Sequence, residues 1–192
     1  LRQLNAALRD HVTEMTEITM AEVGAPQAAC DVAHLGEPLK FLPYYADLAE
    51  SFEWTTPLGI ADTVGGPAER WTEREPIGVV AAITPWNVPT QINLAKTAPA
   101  LAAGCTVVLK PAPQTPWSAL ALGRLVTEHT DIPPGVFNVI SAAAPTIGAL
   151  LTEDPRVDMI SFTGSTATGK TIMRAAAEHV TKVFLELGGK SA

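Results

Sequence analysis

Short apolar runs alternate with longer helical patterns through the second half of the chain, and this alternation limits the possible folds most. Runs such as IGVVAAI and TVVLK are almost continuously apolar, which is typical of strands covered on both faces. We predict strands over residues 77–84, 106–109, 137–140, 159–162 and 182–187, and helices over residues 90–103, 115–130, 145–151 and 168–179. Strands that alternate with helices predict an α/β fold with a parallel sheet covered on both faces.

The amino-terminal part contains two helical patterns and one excursion rich in glycine and proline. The first pattern predicts a single amphipathic helix with a buried stripe of Leu1, Leu4, Leu8, Val12, Met15 and Ile18. The second predicts a helix over residues 38–51, which Pro43 starts or kinks. Residues 55–76 predict a β-hairpin with its turn at Gly65 and Gly66, and an ordinary surface loop is the alternative.

Composition narrows the classes of function. The 192 residues are 47% hydrophobic, enough for a real core, and the net charge of −7 without a dense Lys/Arg block disfavours nucleic acid as a partner. Cys30 and Cys105 have neither disulfide nor zinc spacing, and the scattered histidines do not suggest a metal site. There is no apolar run of membrane-spanning length and no secretion signal at the amino end. We therefore expect a cytoplasmic protein that has no membrane partner.

Four short polar motifs follow predicted strands. They are TPWN (84–87), KPAPQ (110–114), GST (164–166) and ELG (186–188). Because parallel strands place their carboxyl ends at one edge of the sheet, we expect these motifs to converge on one crevice.

Each motif offers a chemical group and also has an ordinary structural interpretation. The Asn87 amide can donate to an oxygen that develops negative charge, or it is a turn residue. Lys110 suits the hydroxyls or phosphates of a nucleotide, or it is a lysine that reaches out to solvent. The helix start at Ser165 can hold a pyrophosphate. Glu186, if half desolvated, can act as a general base, or it is a salt-bridge partner.

Residues 164–171, GSTATGKT, also match the phosphate-loop pattern of nucleoside triphosphatases. Such enzymes place this loop early and supply a magnesium-binding acid from later strands, whereas here only one further strand follows. We therefore interpret Gly169, Lys170 and Thr171 as helical residues that complete the pattern by coincidence, and a phosphate-loop NTPase is a remote alternative.

The motifs TPWN, PALAAGCTVVLKPA, PPGVFNVI, ISFTGST and LELGGKS occur here in the order and spacing of the NAD(P)-dependent aldehyde dehydrogenase superfamily, which the chain resembles. The resemblance is dense over residues 70–192 and looser over residues 1–69. It implies a Rossmann-like NAD(P)-binding domain formed by residues 1–56 and 77–187. Residues 57–76 would form a β-hairpin oligomerisation arm, and residues 188–192 the start of a catalytic domain.

The resemblance also implies a reaction: an aldehyde is oxidised to a carboxylic acid through a cysteine thioester, with NAD or NADP as cofactor. Asn87 resembles the oxyanion-binding asparagine, Glu186 the base that activates the hydrolytic water, and Lys96 a lysine near the active site. The residues that resemble cofactor contacts are Thr84, Pro85, Trp86, Lys110, Pro113, Gly164, Ser165, Leu187 and Gly188. Among these, Lys110 would bind the adenosine ribose, Ser165 the pyrophosphate, and Leu187 and Gly188 the nicotinamide.

The chain departs from the family pattern in three places. Pro113 replaces a ribose-binding glutamate that many members carry, which makes NADP possible because a carboxylate would repel its 2′-phosphate. Residues 142–144 are alanines where members often show G-x-G. The family nucleophile lies beyond the ELGG glutamate, and neither Cys30 nor Cys105 has the surroundings to replace it.

We therefore expect an internal piece of a longer enzyme, inactive alone, whose full protein is a homodimer or homotetramer assembled through the arm. The retained Glu186 favours hydrolysis of the thioester over transfer to CoA. A non-catalytic nucleotide-binding or assembly module is the alternative.

Overall fold

The computed structural model describes residues 1–190 and begins with a group of helices. These are α1 (Arg2–Asp10), α2 (Val12–Val23), the short α3 (Gln27–Ala29) with a π-helical turn at Cys30–His34, a 3₁₀ turn at Pro38–Lys40, and α4 (Phe41–Ser51). The prediction over residues 38–51 is confirmed, with Pro43 in the first turn of α4, where a missing N–H is tolerated.

The prediction of a single amino-terminal helix was wrong, because the helix breaks at His11. This residue has φ −105° and ψ 19°, outside the helical range, and α2 begins at the next residue. Leu4, Leu8 and Met15 are buried as predicted, but Val12 immediately follows the break and is 40% exposed. The change of direction at His11 therefore removes Val12 from the buried stripe.

The predicted β-hairpin is present. Strand β1 (Thr55–Thr63) pairs with β2 (Gly66–Glu73) in antiparallel register, and each strand pairs only with the other among the described residues. Thr63 is paired with Gly66, so the turn residues are 64 and 65, one position earlier than predicted. Gly66 has φ +103°, a conformation that glycine adopts without strain.

A five-stranded parallel sheet follows the hairpin. Its elements are β3 (Val79–Ile83), α5 (Pro89–Ala102), β4 (Thr106–Lys110), α6 (Trp117–His129), β5 (Phe137–Val139), α7 (Thr146–Glu153), β6 (Met159–Gly164), α8 (Thr166–Ala177) and β7 (Lys182–Leu187). The predicted α/β class and every predicted strand and helix of this region are confirmed, with bounds that differ by at most two residues.

The strand order β5-β4-β3-β6-β7 creates a switch point. The chain moves outward from β3 through β4 to β5, then crosses back through α7 and continues on the other side of β3. Such a reversal leaves a crevice beyond the carboxyl ends of β3 and β6. The helices that follow these two strands, α5 and α8, cover opposite faces of the sheet. The strand order therefore predicts a binding site at this edge of the sheet.

Two apolar cores lie on the two faces of the sheet. The larger joins α1, α2, α4, α5 and α6 to β3 and β4, and includes Leu8, Leu42, Leu94, Leu109 and Leu122. The smaller packs α8 on the opposite face, around Ile160, Phe162 and Ile172. Within the described residues, no helix combines the length and the apolar character that crossing a membrane requires. The predicted start of a further domain at 188–192 ends in Ser191 and Ala192, which lie outside the described residues.

Candidate functional site

The four predicted motifs follow four neighbouring strands. Ile83 is paired with Lys110 on one side and with Phe162 on the other, and Gly164 is paired with Leu187. Neighbouring strands lie about 4.8 Å apart, so the row from β4 to β7 spans roughly 15 Å. The prediction that these motifs share one edge is confirmed.

The prediction of one crevice was too simple, because the edge opens onto two cavities on opposite faces. Ser161 and Thr163 of β6 line one cavity, and Phe162, which lies between them, lines the other. Alternate residues of a strand point to opposite faces of its sheet. We call the first the lysine cavity and the second the helix cleft, after the features described next.

The helix cleft, a space of about 450 Å³, lies between α7 and α8 beside the end of β4. Its lining includes Lys110, Gly148, Thr168 and Thr171. Gly148 brings the helix backbone close to the lysine stem, since an added Cβ would be 3.6 Å from Lys110 Cδ. Gly148 therefore places the backbone of α7 beside the stem of Lys110 on the wall of the cleft.

Lys110 does not reach out to solvent. Its side chain is buried, its Nζ donates a hydrogen bond of 3.1 Å to the carbonyl oxygen of Pro111, and burial lowers the pKa of the Lys110 ammonium group. The alternative interpretation, that Lys110 is a lysine that reaches out to solvent, is therefore wrong. A buried ammonium group with one carbonyl partner keeps N–H donors for the hydroxyls of a ligand.

Helix α8 begins at the same edge with Ser165 as its N-cap. The Ser165 hydroxyl oxygen accepts a hydrogen bond of 3.1 Å from the backbone N–H of Thr168, and Ser165 is exposed. Gly164, which ends β6, is half-buried. The exposed start of a 12-residue helix presents backbone N–H groups and positive dipole charge, which favour a phosphate.

The lysine cavity, about 750 Å³, lies on the face of α5. Lys96 points into it: Lys96 Nζ donates to Ser161 Oγ at 3.0 Å and lies 5.8 Å from the centroid of the Phe184 ring. Burial lowers the pKa of Lys96 to about 8, and the nearby Glu186 carboxylate opposes this shift. Glu186 lines the same cavity at the end of β7 but is exposed, not half desolvated as the sequence suggested.

The TPWN turn lies between β3 and α5. The Thr84 side chain is buried and its hydroxyl donates to Asn93 Oδ1 at 2.7 Å, so this hydroxyl is already engaged. Pro85 is half-buried, whereas Trp86 is 58% exposed and Asn87 is exposed at the edge. The Trp86 ring and the Asn87 amide are therefore the accessible groups of this turn.

The remaining predicted cofactor contacts lie at either end of the row. Pro113 is exposed in the turn after β4, three residues beyond Lys110. Leu187 and Gly188 are exposed where β7 ends, and Gly188 O accepts a long hydrogen bond of 3.5 Å from Thr166 Oγ1 at the start of α8. The predicted residues thus form a row along the carboxyl edge of the sheet, with the helix cleft on one face and the lysine cavity on the other.

The sequence did not identify Ser161, Thr168 or Thr171, which line these two cavities. Ser161 carried a signal, because it is a hydroxyl within the apolar strand MISF, and strand periodicity assigns it to the face opposite Phe162. Thr168 and Thr171 belong to the GSTATGKT pattern, which we interpreted as a coincidence, and hydroxyl residues on an exposed helix face are too common to indicate a cleft. Within the described residues no group of three or more acidic, histidine or cysteine side chains could hold a metal ion.

Neither cysteine is placed to act as a nucleophile. Cys30 is buried in the π-helical turn, and burial raises the pKa of its thiol, with the nearby Asp31 adding to the effect. Cys105 is buried just before β4 begins; it lines the lysine cavity, but at the opposite end of the strands from Glu186. The strand register separates these two residues by about 20 Å along the strand direction.

The GSTATGKT pattern does not form a phosphate loop. Residues 166–171 belong to α8, which runs to Ala177, and Lys170 is exposed on this helix. A phosphate loop requires an irregular stretch between its glycines that wraps the phosphates, and here that stretch is helical. The interpretation of GKT as helical residues is confirmed.

Comparison with known proteins agrees with this geometry. The family model described as "Aldehyde dehydrogenase family" matches residues 1–192. The chain belongs to the aldehyde dehydrogenase family. Among curated relatives, a 3-sulfolactaldehyde dehydrogenase of Pseudomonas putida is 42% identical over 194 residues, a match that covers 100% of this chain and 38% of the relative.

Solved structures of the family superpose closely on this chain. An Escherichia coli NADP-dependent enzyme matches with a TM-score of 0.91 and 37% identity, over 99% of this chain and 38% of its own. A Mycobacterium tuberculosis aldehyde dehydrogenase complexed with NAD+ matches with a TM-score of 0.89 and 38% identity, again over 99% and 38%. The chain spans about 38% of the length of these family members.

Proposed function

We propose that this chain forms the cofactor-binding part of an aldehyde dehydrogenase that oxidises an aldehyde to a carboxylic acid with NAD+ or NADP+. Family membership supports the reaction class, and the related structures include an NADP-dependent enzyme and a complex with NAD+. The supporting observation within the chain is the row of motifs along the carboxyl edge at the switch point, with the helix cleft on one face of the sheet and the lysine cavity on the other.

The residues along this row suit the successive parts of a dinucleotide in order. The helix cleft offers Lys110 and two threonine hydroxyls to the adenosine half. The start of α8 at Ser165 suits the pyrophosphate, with Gly164 allowing close approach. Trp86, Leu187 and Gly188 border the far end, where the nicotinamide would lie, and Thr84 and Pro85 shape the turn beneath it. When bound, the dinucleotide supplies the hydride acceptor.

The catalytic roles we propose follow from the groups at that end. The exposed Asn87 amide would donate to the oxygen of an aldehyde as negative charge develops there. Glu186, exposed at the mouth of the lysine cavity, would accept a proton from water that hydrolyses a thioester. Lys96 would place a positive charge behind this carboxylate. These roles favour hydrolysis over transfer to CoA.

The nucleophile of this reaction would be a cysteine of a longer protein, since Cys30 and Cys105 are buried and remote from Glu186. This burial also favours a second candidate, in which the chain by itself is a nucleotide-binding module without catalysis. We expect the purified 192-residue chain to produce no NADH or NADPH from acetaldehyde or hexanal. Steady formation of reduced cofactor by this chain would contradict both proposals for it.

We further propose that residues 1–56 and 77–187 form the dinucleotide-binding domain and that residues 57–76 form an arm between subunits of a homodimer or homotetramer. The exposed apolar side chains of Leu58, Ile60 and Trp71 on the hairpin support this role, since both of its outer strand edges lack partners among the described residues. Residues 188–192 would begin a catalytic domain. Free, buried cysteines are compatible with the cytoplasmic location we propose.

Calorimetric titration of the chain with NAD+ and with NADP+ tests the cofactor proposal. We expect binding of at least one dinucleotide and an affinity about tenfold weaker in Lys110→Met, since the substitution removes hydrogen bonds from a charged donor. Lys170→Met is the matched control, because Lys170 is exposed on α8 and outside the helix cleft. Binding of magnesium ATP that depends on Lys170 would instead support the remote NTPase alternative.

A further inference from the structure

Ser161 carries a buried hydroxyl whose surroundings differ from the rest of its strand. It is 6% exposed, and its neighbours Ile160 and Phe162 point to the opposite face, into the smaller apolar core. Its Oγ accepts the hydrogen bond from Lys96 Nζ at 3.0 Å. This contact connects β6 to α5, two elements that lie on either side of the lysine cavity.

Lys96 is itself 7% exposed, and an ammonium group carries three N–H donors. Within the part of the chain that the structure describes, Ser161 Oγ is the hydrogen-bond acceptor for its Nζ. The Phe184 ring, with its centroid 5.8 Å from Nζ, offers a weaker electrostatic contact. The other titratable side chains that line the cavity are Tyr45, Glu75, Cys105, Lys182 and Glu186.

The sheet register relates Ser161 to the candidate base. Ser161 is paired with Phe184, and two residues further along the same face Thr163 is paired with Glu186. Two residues of a strand span about 7 Å, so the serine lies just below the carboxylate on one wall of the cavity. The Lys96 ammonium group held at Ser161 is close enough to the Glu186 carboxylate for that negative charge to raise its pKa, against the effect of burial.

We propose that Ser161 is a positioning residue, which fixes the Lys96 ammonium group inside the lysine cavity beside Glu186. Its significance for catalysis rests on the proposed function, in which Lys96 and Glu186 belong to the reaction site. The hydrogen bond favours the charged form of the lysine, because a hydroxyl oxygen stabilises an ammonium group that burial destabilises. Without this acceptor the amine would lose its proton more readily and its position would be less restricted.

Titration of the lysine side chains by NMR tests the proposal in the chain without any cofactor. The ¹³Cε signal of Lys96, assigned by its loss in Lys96→Met, would be followed against pH. We expect its midpoint to fall by about 1 pH unit in Ser161→Ala, the effect of one hydrogen bond to a charged group. Ser161→Thr keeps the hydroxyl on a strand that tolerates β-branched residues, and we expect it to restore the midpoint.

Ser118→Ala is the matched control, because Ser118 is also buried but its hydroxyl has no hydrogen-bond partner among the described residues. It should leave the Lys96 midpoint unchanged. If Ser161→Ala does not fold, Ser161→Cys replaces it, since a thiol of similar shape is a weak acceptor.

A midpoint that stays within about 0.2 pH unit in the folded Ser161 variant, or that moves equally in Ser118→Ala, would overturn the proposal. Because no dinucleotide is present, this result is separate from any failure of the chain to bind NAD+ or NADP+.

Discussion

Lys96 is a buried cation, and its protonation links the stability of the chain to pH. Burial lowers its pKa to about 8 from the ordinary value of 10.5, so the unfolded chain binds more protons than the folded chain between these values. The free energy of unfolding contributed by this group therefore increases as the pH rises through that window. Below pH 8 the full cost of burying the ammonium group is present.

We accordingly predict that Lys96→Met raises the free energy of unfolding by about 1–2 kcal/mol at pH 7, because an apolar side chain of similar length replaces the buried charge. This gain should diminish as the pH rises from about 8 through 10.5, because above the ordinary pKa the lysine is neutral in both the folded and the unfolded chain. Urea unfolding at several pH values measures it, with the exposed Lys170→Met as control. A gain independent of pH, or a loss of stability at pH 7, would show that the Lys96 ammonium group carries no net cost.

We propose that a carboxylate at the position of Pro113 would affect the choice between the two dinucleotides. It is exposed in the turn after β4, close in sequence to Lys110 at the helix cleft. We predict that Pro113→Glu raises the ratio of the Kd for NADP+ to the Kd for NAD+ about tenfold, because the new charge repels the 2′-phosphate. Pro113→Gln, which has the same shape without the charge, should change the ratio little. Equal effects of Glu and Gln would reject the electrostatic explanation.

At the scale of elements, we propose that α8 combines a structural role and a binding role at Ser165. Ser165→Ala should lower the free energy of unfolding by about 1 kcal/mol, because the side chain that accepts from Thr168 N is lost. Ser165→Asp keeps a capping oxygen and should retain stability, but we expect it to weaken dinucleotide binding about tenfold by repelling the pyrophosphate. Urea unfolding and calorimetric titration separate the two effects. Wild-type affinity in Ser165→Asp would place the pyrophosphate elsewhere.

The elements of the sheet could be predicted because each strand is a short apolar run and each helix has its own periodicity. The carboxyl-end motifs followed from the same pattern, since parallel strands share one edge. The break at His11 could not be predicted, because the apolar spacing continues through it and no glycine or proline marks it. Nor could the two separate cavities, since they depend on which helices cover each face of β6 and β7.

The contact between Lys96 and Ser161 is also one that the sequence could not predict. They are 65 positions apart, and only the packing of α5 on the sheet brings their side chains to 3.0 Å. The family motifs identified Lys96 as a residue near the active site but did not indicate its partner. Contacts of this kind depend on the crossing of elements, which local sequence patterns do not specify.

At the scale of the whole molecule, the two faces of the sheet contribute different parts of the proposed site. The face with α7 and α8 has the cleft that suits an adenosine, and the face with α5 has the cavity that contains the candidate proton-transfer groups. The ends of β3 and β6 lie between these two spaces, where the strand order reverses. We propose that one extended dinucleotide bridges both faces of the sheet at this edge.

Chemical-shift mapping of the chain with AMP and with NAD+ tests this claim most directly. We predict that AMP moves only amide signals around the helix cleft, such as those of Lys110, Gly148 and Thr168. NAD+ should move these signals and also those of Leu187 and Gly188 at the end of β7. Saturation with NAD+ that leaves the second group unchanged, or binding of neither ligand, would contradict a dinucleotide bound across the carboxyl edge of the sheet.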